Sequence, residues 1–246
     1  MRLLQLNTEL SWHDEKIEAF LSKEEFDVLT LQEVSRRTLE RFAHSFTWHF
    51  ERNFFLQGEE FGVAILIRKW LKLLEPNFHQ YLGGDGITEN PYVSTDWSDY
   101  YDRGRFWILA WRVISDDQEV PLWTNYFPVA YPAHETNERQ RFAMASLIPL
   151  IEGFSDIILT WDFNVARSNN ENDLIHPLYS SLGRVLKDNI PPHINNTLDP
   201  ELHRVRWLEV VCDYIWSRWN TRVSDVQIHN GLSDHQGISA NIGIEK

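Results

Sequence analysis

Short apolar runs that stop at a polar or acidic residue recur along this chain. Leu3 to Leu6 is the first, and it runs into Asn7-Thr8-Glu9. Phe26-Asp27-Val28-Leu29-Thr30-Leu31-Gln32-Glu33 reads as a buried β run ending in a carboxylate. Gly62 to Ile67, Phe106 to Val113, Val120 to Phe127, Asp156 to Thr160, Val210 to Trp216 and Gly237 to Ile244 complete the predicted strands. Short runs rich in β-branched and aromatic residues have this meaning. Helical spacing appears between them. Ser11 with Asp14 has the form of a capping box, and Ile17, Phe20 and Leu21 follow at helical intervals, which predicts a helix from near Ser11. Ser35 predicts a cap for a second helix, with Leu39, Phe42, Ala43 and Phe46 along one face. Further helices are expected from about Glu138 to Glu152 and around Leu174 to Leu186, and Pro191-Pro192 ends the latter.

Residues 77 to 105 break the pattern with Gly83-Gly84-Asp85-Gly86, Pro91, Asp96, Asp99 and Asp102. This stretch is expected to be a loop or hairpin insertion within one domain spanning 1–246, not a linker between domains. Many strands, fewer helices and several hairpin-like spacings predict an α/β class of packed sheets flanked by helices.

Composition narrows the classes. With 43% apolar and 24% charged residues, the chain is neither disordered nor fibrous. No apolar run is long enough to cross a membrane, and Met1-Arg2-Leu3-Leu4-Gln5 carries no signal-peptide core. A cytoplasmic location is the default expectation, and no obligate protein partner is evident. A single cysteine, Cys212, excludes an internal disulfide framework and a cysteine-rich zinc site. His13, His44, His49, His79 and His134 show no metal-ligand spacing. Lys+Arg 23 against Asp+Glu 36 gives a net charge of −13. Such a chain repels polyanions at long range, so phosphate handling would call for a cation. Of the 11 tryptophans, those at 107, 111, 207, 216 and 219 sit in apolar stretches; core packing is expected for most, with a stacking surface for bases or sugars as the alternative.

The polar residues that interrupt or end the strands share a placement. Asn7 and Glu9, two apart in an extended segment, point to one side, and so do Asp162 and Asn164. Glu33 ends its strand, Asp213 lies within Val210-Val211-Cys212-Asp213-Tyr214-Ile215, and Ser233-Asp234-His235 precedes the last strand. Each has an ordinary reading: Asn7 in a turn, Glu33 at a helix start, Asp162 and Asn164 in an Asx turn, Asp234-His235 in a surface turn. Several buried carboxylates together are harder to assign to structure, because each must be paired, hydrogen-bonded or metal-bound. The physical reading is an oxygen-ligand site for Mg²⁺ or Mn²⁺, with Glu33 the direct ligand and Glu9 and Asp234 assisting. Asp162 then orients or deprotonates a water, and Asp213 orients His235 to bind or protonate phosphate.

Asn7-Thr8-Glu9, Leu31-Gln32-Glu33, Asp162-Phe163-Asn164, Cys212-Asp213-Tyr214-Ile215 and Ser233-Asp234-His235 resemble, in order, the motifs of the endonuclease/exonuclease/phosphatase superfamily. That group includes DNase I, exonuclease III-type AP endonucleases, sphingomyelinases and inositol polyphosphate 5-phosphatases. The resemblance covers residues 3 to 244. It implies a four-layered α/β sandwich, two mixed sheets flanked by helices, with a divalent-metal phosphodiesterase or phosphatase site at one end. It implies metal roles for Asn7, Glu9, Glu33 and Asp234, and catalytic roles for Asp162, Asn164, Asp213 and His235. Tyr126, in Thr124-Asn125-Tyr126-Phe127-Pro128, resembles the phosphate-contacting tyrosine of the AP-endonuclease branch. Arg139 and Arg141 are candidate phosphate contacts or solvated helix charges.

The expected partner is therefore a phosphate-ester substrate, DNA among the candidates. Phospholipids and inositol phosphates are the alternative within the superfamily. One departure stands out: Trp161 occupies a position where the family has glycine. A ring there is expected to narrow the site or shift the Asp162 backbone, which motivates a further alternative, a non-catalytic phosphate-binding module.

Overall fold

The computed structural model describes residues 1–56, 58–74, 77–83, 105–115, 118–128, 136–169 and 174–245. The principal strands are β1 (Arg2–Asn7), β2 (Val28–Ser35), β3 (Phe46–Leu56), β4 (Glu59–Arg68), β5 (Lys72–Leu73), β6 (Asn77–Gly83), β7 (Arg105–Ser115), β8 (Gln118–Tyr126) and β9 (Ile157–Asp162). The chain continues through β10 (Ser168–Asn169), β11 (Leu174–Ile175), β12 (Lys187–Asp188), β13 (Asp213–Arg218), β14 (Thr221–His229) and β15 (Gly237–Ile244). Four described helices accompany them: α1 (Asp14–Leu21), α2 (Arg36–Phe42), α3 (Glu138–Glu152) and α4 (Pro177–Gly183). One sheet has the order β14-β15-β1-β2-β4-β3; the other runs β12-β13-β9-β8-β7-β5, with β6 also on β7.

Strand alternation builds the layers. Leu4 and Leu6 of β1 and Leu29 and Leu31 of β2 pack with Ile17 of α1 and Leu39 and Phe42 of α2. Their neighbours Leu3 and Val28 face the other way, into the core shared with the second sheet. Side chains two apart share a face, so Gln5 and Asn7 follow Leu3 inward, and Thr30 and Gln32 follow Val28. In the second sheet Trp161 and Tyr214 turn outward, where Tyr179 of α4 packs on Tyr214 at 5.6 Å and on Trp216 at 5.1 Å. Asp162 and Asp213, paired in register, turn inward. The result is helix, sheet, sheet, helix.

Several elements depart from expectation. The first helix starts at Asp14, not Ser11, and His13 at its N-cap makes no side-chain cap. The Asp14 carboxylate instead accepts from the Thr38 hydroxyl at 2.9 Å and is buried. Ser35 does cap α2, accepting from Thr38 N. Phe46, expected on the face of α2, opens β3. Strands β3 and β14 had no clear signal because both lie at sheet edges and carry many polar residues. The expected helix at 174–186 is only Pro177–Gly183, since proline is favoured in a first turn and His176 caps it. The strand expected from Val210 begins at Asp213. Of the expected insertion, Asn77–Gly83 is a strand on β7, and 84–104 lie outside the described residues.

Candidate active site

The parallel pairs β1–β2 and β8–β9 end on the same side of the sandwich, and β13 starts there. Register places Tyr126 beside Asp162 and Asp162 beside Asp213, a row across the inner face of three adjacent strands. From the other sheet, Asn7 Nδ2 donates to Asp162 Oδ2 at 3.0 Å, bridging the two sheets. Asp162 Oδ1 accepts from Asn164 N at 2.9 Å, and the Asn164 amide donates to Phe127 O and Asp162 Oδ2. This is the Asx turn anticipated for the pair, closed by a left-handed Asn164 at φ 51.

Glu33 reaches the cluster through an irregularity. By alternation it would share the helix-facing side of Leu31. The β2–β4 register slips between Leu31 and Val34, and Glu33 adopts φ 50. Bulges of this kind re-aim a side chain. Val34 still packs toward the helices, while the Glu33 carboxylate accepts hydrogen bonds from Tyr126 and Asn7 and lies near Asp234 and His235. Burial first, then the Asp234 charge, raises its pKa.

His235 Nδ1 donates to Asp213 Oδ2 at 2.8 Å, both groups being buried. Burial alone would lower the imidazole pKa; Asp213, Asp234 and Asp162 outweigh that and hold it well above the usual histidine range. Asp162 goes the other way for a carboxylate. Burial, with the Asp213 and Glu33 charges, pushes it up to about 7 against the pull of His235. Ser233 fixes the turn, donating to Asp234 Oδ1 and accepting from His235 N.

Other predicted residues lie outside this centre. The Glu9 carboxylate takes Arg204 Nη2 at 3.1 Å and His13 Nε2 at 2.9 Å, while Glu9 N donates to Asn7 Oδ1. Glu9 therefore borders the cluster with its charge engaged elsewhere. Arg139 lies over the Phe106 ring at 5.5 Å. Arg141 is exposed and donates to Thr136 O at 2.7 Å, on the groove between α3 and α4. The Trp161 expectation is corrected. Its ring is on the outward face of β9, stacked on Phe163 at 4.5 Å and edge-on to Phe127 at 5.8 Å. Strand alternation sends it away from Asp162, so it does not narrow the site.

Behind the cluster runs a buried chain of amides that the strand pattern does not single out. Gln5 Nε2 donates to Asp213 Oδ1 at 3.1 Å and to Gln32 Oε1 at 2.9 Å, and Gln32 Nε2 donates to Thr124 Oγ1 at 2.9 Å. The available signal was an amide at an inward position of each apolar strand. The pattern does not single out Cys212 either: donor atoms of Asp162, Cys212, Asp213 and His235 lie within 4.8 Å of one another. Burial and the Asp213 charge push the thiol pKa well up, so it stays neutral and is a poor ligand for a hard cation. The oxygen set is the better fit. Glu33, Asp162, Asp213 and Asp234 share one imidazole as counter-charge, and two of these carboxylates have raised pKa values. A divalent ion bound by oxygen would relieve that imbalance.

Comparison with known proteins gives a family and a fold. A model described as the Endonuclease/Exonuclease/phosphatase family matches residues 4–235. No curated protein matches. Solved structures of similar fold include an endonuclease/exonuclease/phosphatase from Bacteroides vulgatus, with TM-score 0.70 at 15% identity, covering 99% of this chain and 98% of that one. D. rerio TDP2 complexed with single strand DNA product gives 0.67 at 15%, covering 99% and 98%. A Bacteroides thetaiotaomicron mannosyl-6-phosphatase gives 0.68 at 13%, covering 98% and 99%. At such identities these likenesses bear on fold alone.

Proposed function

Because the chain belongs to the endonuclease/exonuclease/phosphatase family, we propose that it is a divalent-metal-dependent phosphoesterase acting on a phosphodiester. One observation carries this reading: Asn7, Glu33, Tyr126, Asp162, Asp213, Asp234 and His235 converge at one end of the sandwich, with an excess of buried carboxylates.

Glu33, Asn7 and Asp234 would hold Mg²⁺ or Mn²⁺. When bound, the ion supplies Lewis-acid withdrawal of charge from phosphoryl oxygens. Asp162, with a pKa near 7, is suited to take the proton of an attacking water at neutral pH. Asn7 and Asn164 N hold its two oxygens in place. His235, kept protonated by its carboxylate neighbours and oriented by Asp213, meets the negative phosphoryl oxygens. Overall one water is consumed: hydroxide joins phosphorus, the P–O bond to the alcohol breaks, and the alcohol leaves with a proton.

The names of the similar structures span a complex with a single strand DNA product and a mannosyl-6-phosphatase, so the family leaves substrate class open. A net charge of −13 weighs against a long duplex. The test is hydrolysis of p-nitrophenyl phosphodiesters, oligonucleotides and inositol phosphates with Mg²⁺ or Mn²⁺, and again in excess chelator. Metal-dependent turnover that disappears in Glu33→Ala and His235→Ala is expected. Absence of turnover on every ester, with phosphate binding retained, would point to the non-catalytic module instead.

A further inference from the structure

Asp162 serves the attacking water, and His235, its Nδ1 held by Asp213, serves the phosphoryl oxygens. Neither supplies the proton with which the alcohol leaves. An alkoxide is a poor leaving group, the more so beside the carboxylates of Glu33, Asp162, Asp213 and Asp234. A positioned proton donor on that oxygen would speed P–O cleavage.

A second imidazole stands beside the first. The His203 ring lies 6.5 Å from that of His235, centre to centre, at an interplanar angle of 84°. Two rings at that separation can each reach a different oxygen of one phosphate ester, since each hydrogen bond spans about 2.7–3.2 Å. His203 is partly buried and lies outside the close group of Asp162, Cys212, Asp213 and His235, so it flanks the acidic centre without joining it.

The segment that carries His203 is tied to the Ser233-Asp234-His235 turn. Leu198 pairs with His235 as an antiparallel bridge, Asp199 N donates to Asp234 O at 2.8 Å, and Gln236 N donates to Thr197 O at 2.7 Å. The Asp199 carboxylate accepts from Glu201 N and Leu202 N at 3.0 Å and from Gly231 N at 2.6 Å, and His203 N closes the turn on Asp199 O at 2.9 Å. The two histidines are therefore held in fixed relation by backbone hydrogen bonds. The two nitrogens of the His203 ring have different settings. Nδ1 faces Val205 O and Val205 N of its own loop, each at 3.2 Å. With Val205 O accepting, the Nδ1 proton stays in place and the exchangeable proton is that of Nε2. Among the described residues Nε2 has no hydrogen-bond partner.

We propose that His203 is a catalytic residue of this hydrolysis, its Nε2–H protonating the oxygen of the departing alcohol. As the P–O bond breaks, its electron pair stays on that oxygen, which takes the Nε2 proton. Asp162 takes one proton of the water whose oxygen joins phosphorus, and solvent then carries that proton back to His203. The assignment rests on the phosphoesterase reading and deepens it. A proton donor matters for an ester of an unactivated alcohol and is idle for one whose leaving anion is already stable.

The experiment compares methyl p-nitrophenyl phosphate, which releases a stable anion, with methyl phenyl phosphate, which releases a more basic one, in wild type, His203→Ala and His203→Gln with Mg²⁺ or Mn²⁺. The ratio of kcat/KM for the two esters cancels any loss of folded enzyme. His203→Ala should lower kcat/KM on the phenyl ester by about 10²-fold and on the nitrophenyl ester by no more than a few-fold. His203→Gln, which keeps an N–H but cannot give up its proton, should match His203→Ala. Equal losses on both esters, no loss on either, or a wild-type ratio in His203→Gln would overturn the assignment while leaving the phosphoesterase reading intact. If wild type cleaves neither ester, the phosphoesterase reading falls and the assignment falls with it.

Discussion

β13 joins two regions that differ in how they treat charge. At its far end Arg218 donates to Ile151 O in the last turn of α3 at 3.0 Å and to Phe154 O, just past the helix, at 2.8 Å, placing a cation at the C-terminus of α3. That is the favourable sign for a helix C-terminus. At its first residue, Asp213 sits among Asp162, Asp234 and Glu33 with His235 between them. Backbone conformation follows the same division. Of seven described non-glycine residues with positive φ, Glu9, Leu10, Ser11, Glu33 and Asn164 lie at the site end. Opposite charges stabilise one end, where Trp219 is the positive-φ residue of the turn; like charges and most of the strained backbone accumulate at the other. Local rules are broken where a binding site has to be held in readiness, and the rest of the sandwich compensates.

The largest expected effect is on turnover. His235→Ala should lower kcat by about 10²–10⁴-fold, and its melting temperature in chelator should fall as well, because the variant loses the counter-charge of the buried carboxylates. A variant that retains full activity would break the contrast between the two ends. Next comes packing behind the site. Trp161→Ala should cost about 3–5 kcal/mol in denaturant titration, since the ring is buried between Phe163 and Phe127. Trp161→Gly should therefore give no gain in activity; a large gain would mean that the ring throttles the site after all.

A smaller loss is expected from the amide chain. Gln5→Ala removes the donor shared by Asp213 and Gln32 and should cost about 1–3 kcal/mol, with a several-fold drop in kcat. A neutral result in both readouts would show that Asp213 needs no support from the other sheet.

The smallest effect concerns pH. Without metal, native Asp162 keeps its proton up to about pH 7, whereas the unfolded carboxyl loses it near 4. His235 likewise keeps its proton above the ordinary range. The native state binds more protons than the unfolded state across this window, so stability falls as pH rises. The melting temperature in chelator should fall from pH 5 to pH 8. The slope should be shallower in Asp162→Asn, and Mg²⁺ should stabilise wild type more at pH 8 than at pH 5. An equal slope in Asp162→Asn would remove the carboxylate crowding from the account.

Much of the architecture was legible in the chain itself. The apolar runs at 3–6, 106–113 and 120–127 became strands, and Glu138 to Glu152 became a helix over the same residues, because buried strands and an amphipathic helix declare themselves by local periodicity. Edge strands such as β14, half polar and half paired, do not. Some site residues were visible too: Asn7, Glu33, Asp162 and Asp213 interrupt or end apolar strands where burial makes polarity costly, whereas Asp234-His235 alone reads as a surface turn and stood out only through the order of the motifs.

Other features depended on contacts distant in sequence. Asn7 meets Asp162 across 155 positions and Gln5 meets Asp213 across 208, which no local pattern encodes. Strand alternation sent Trp161 away from the site, a register slip brought Glu33 into it, and the chain from Arg204 drew the Glu9 carboxylate to the rim. The sequence determined which residues would be strands and which polar groups demanded partners, because those follow from solvation and periodicity along one segment. Only the tertiary structure decided which partners they received, because pairing and electrostatic coupling depend on distances set when the two sheets close on each other.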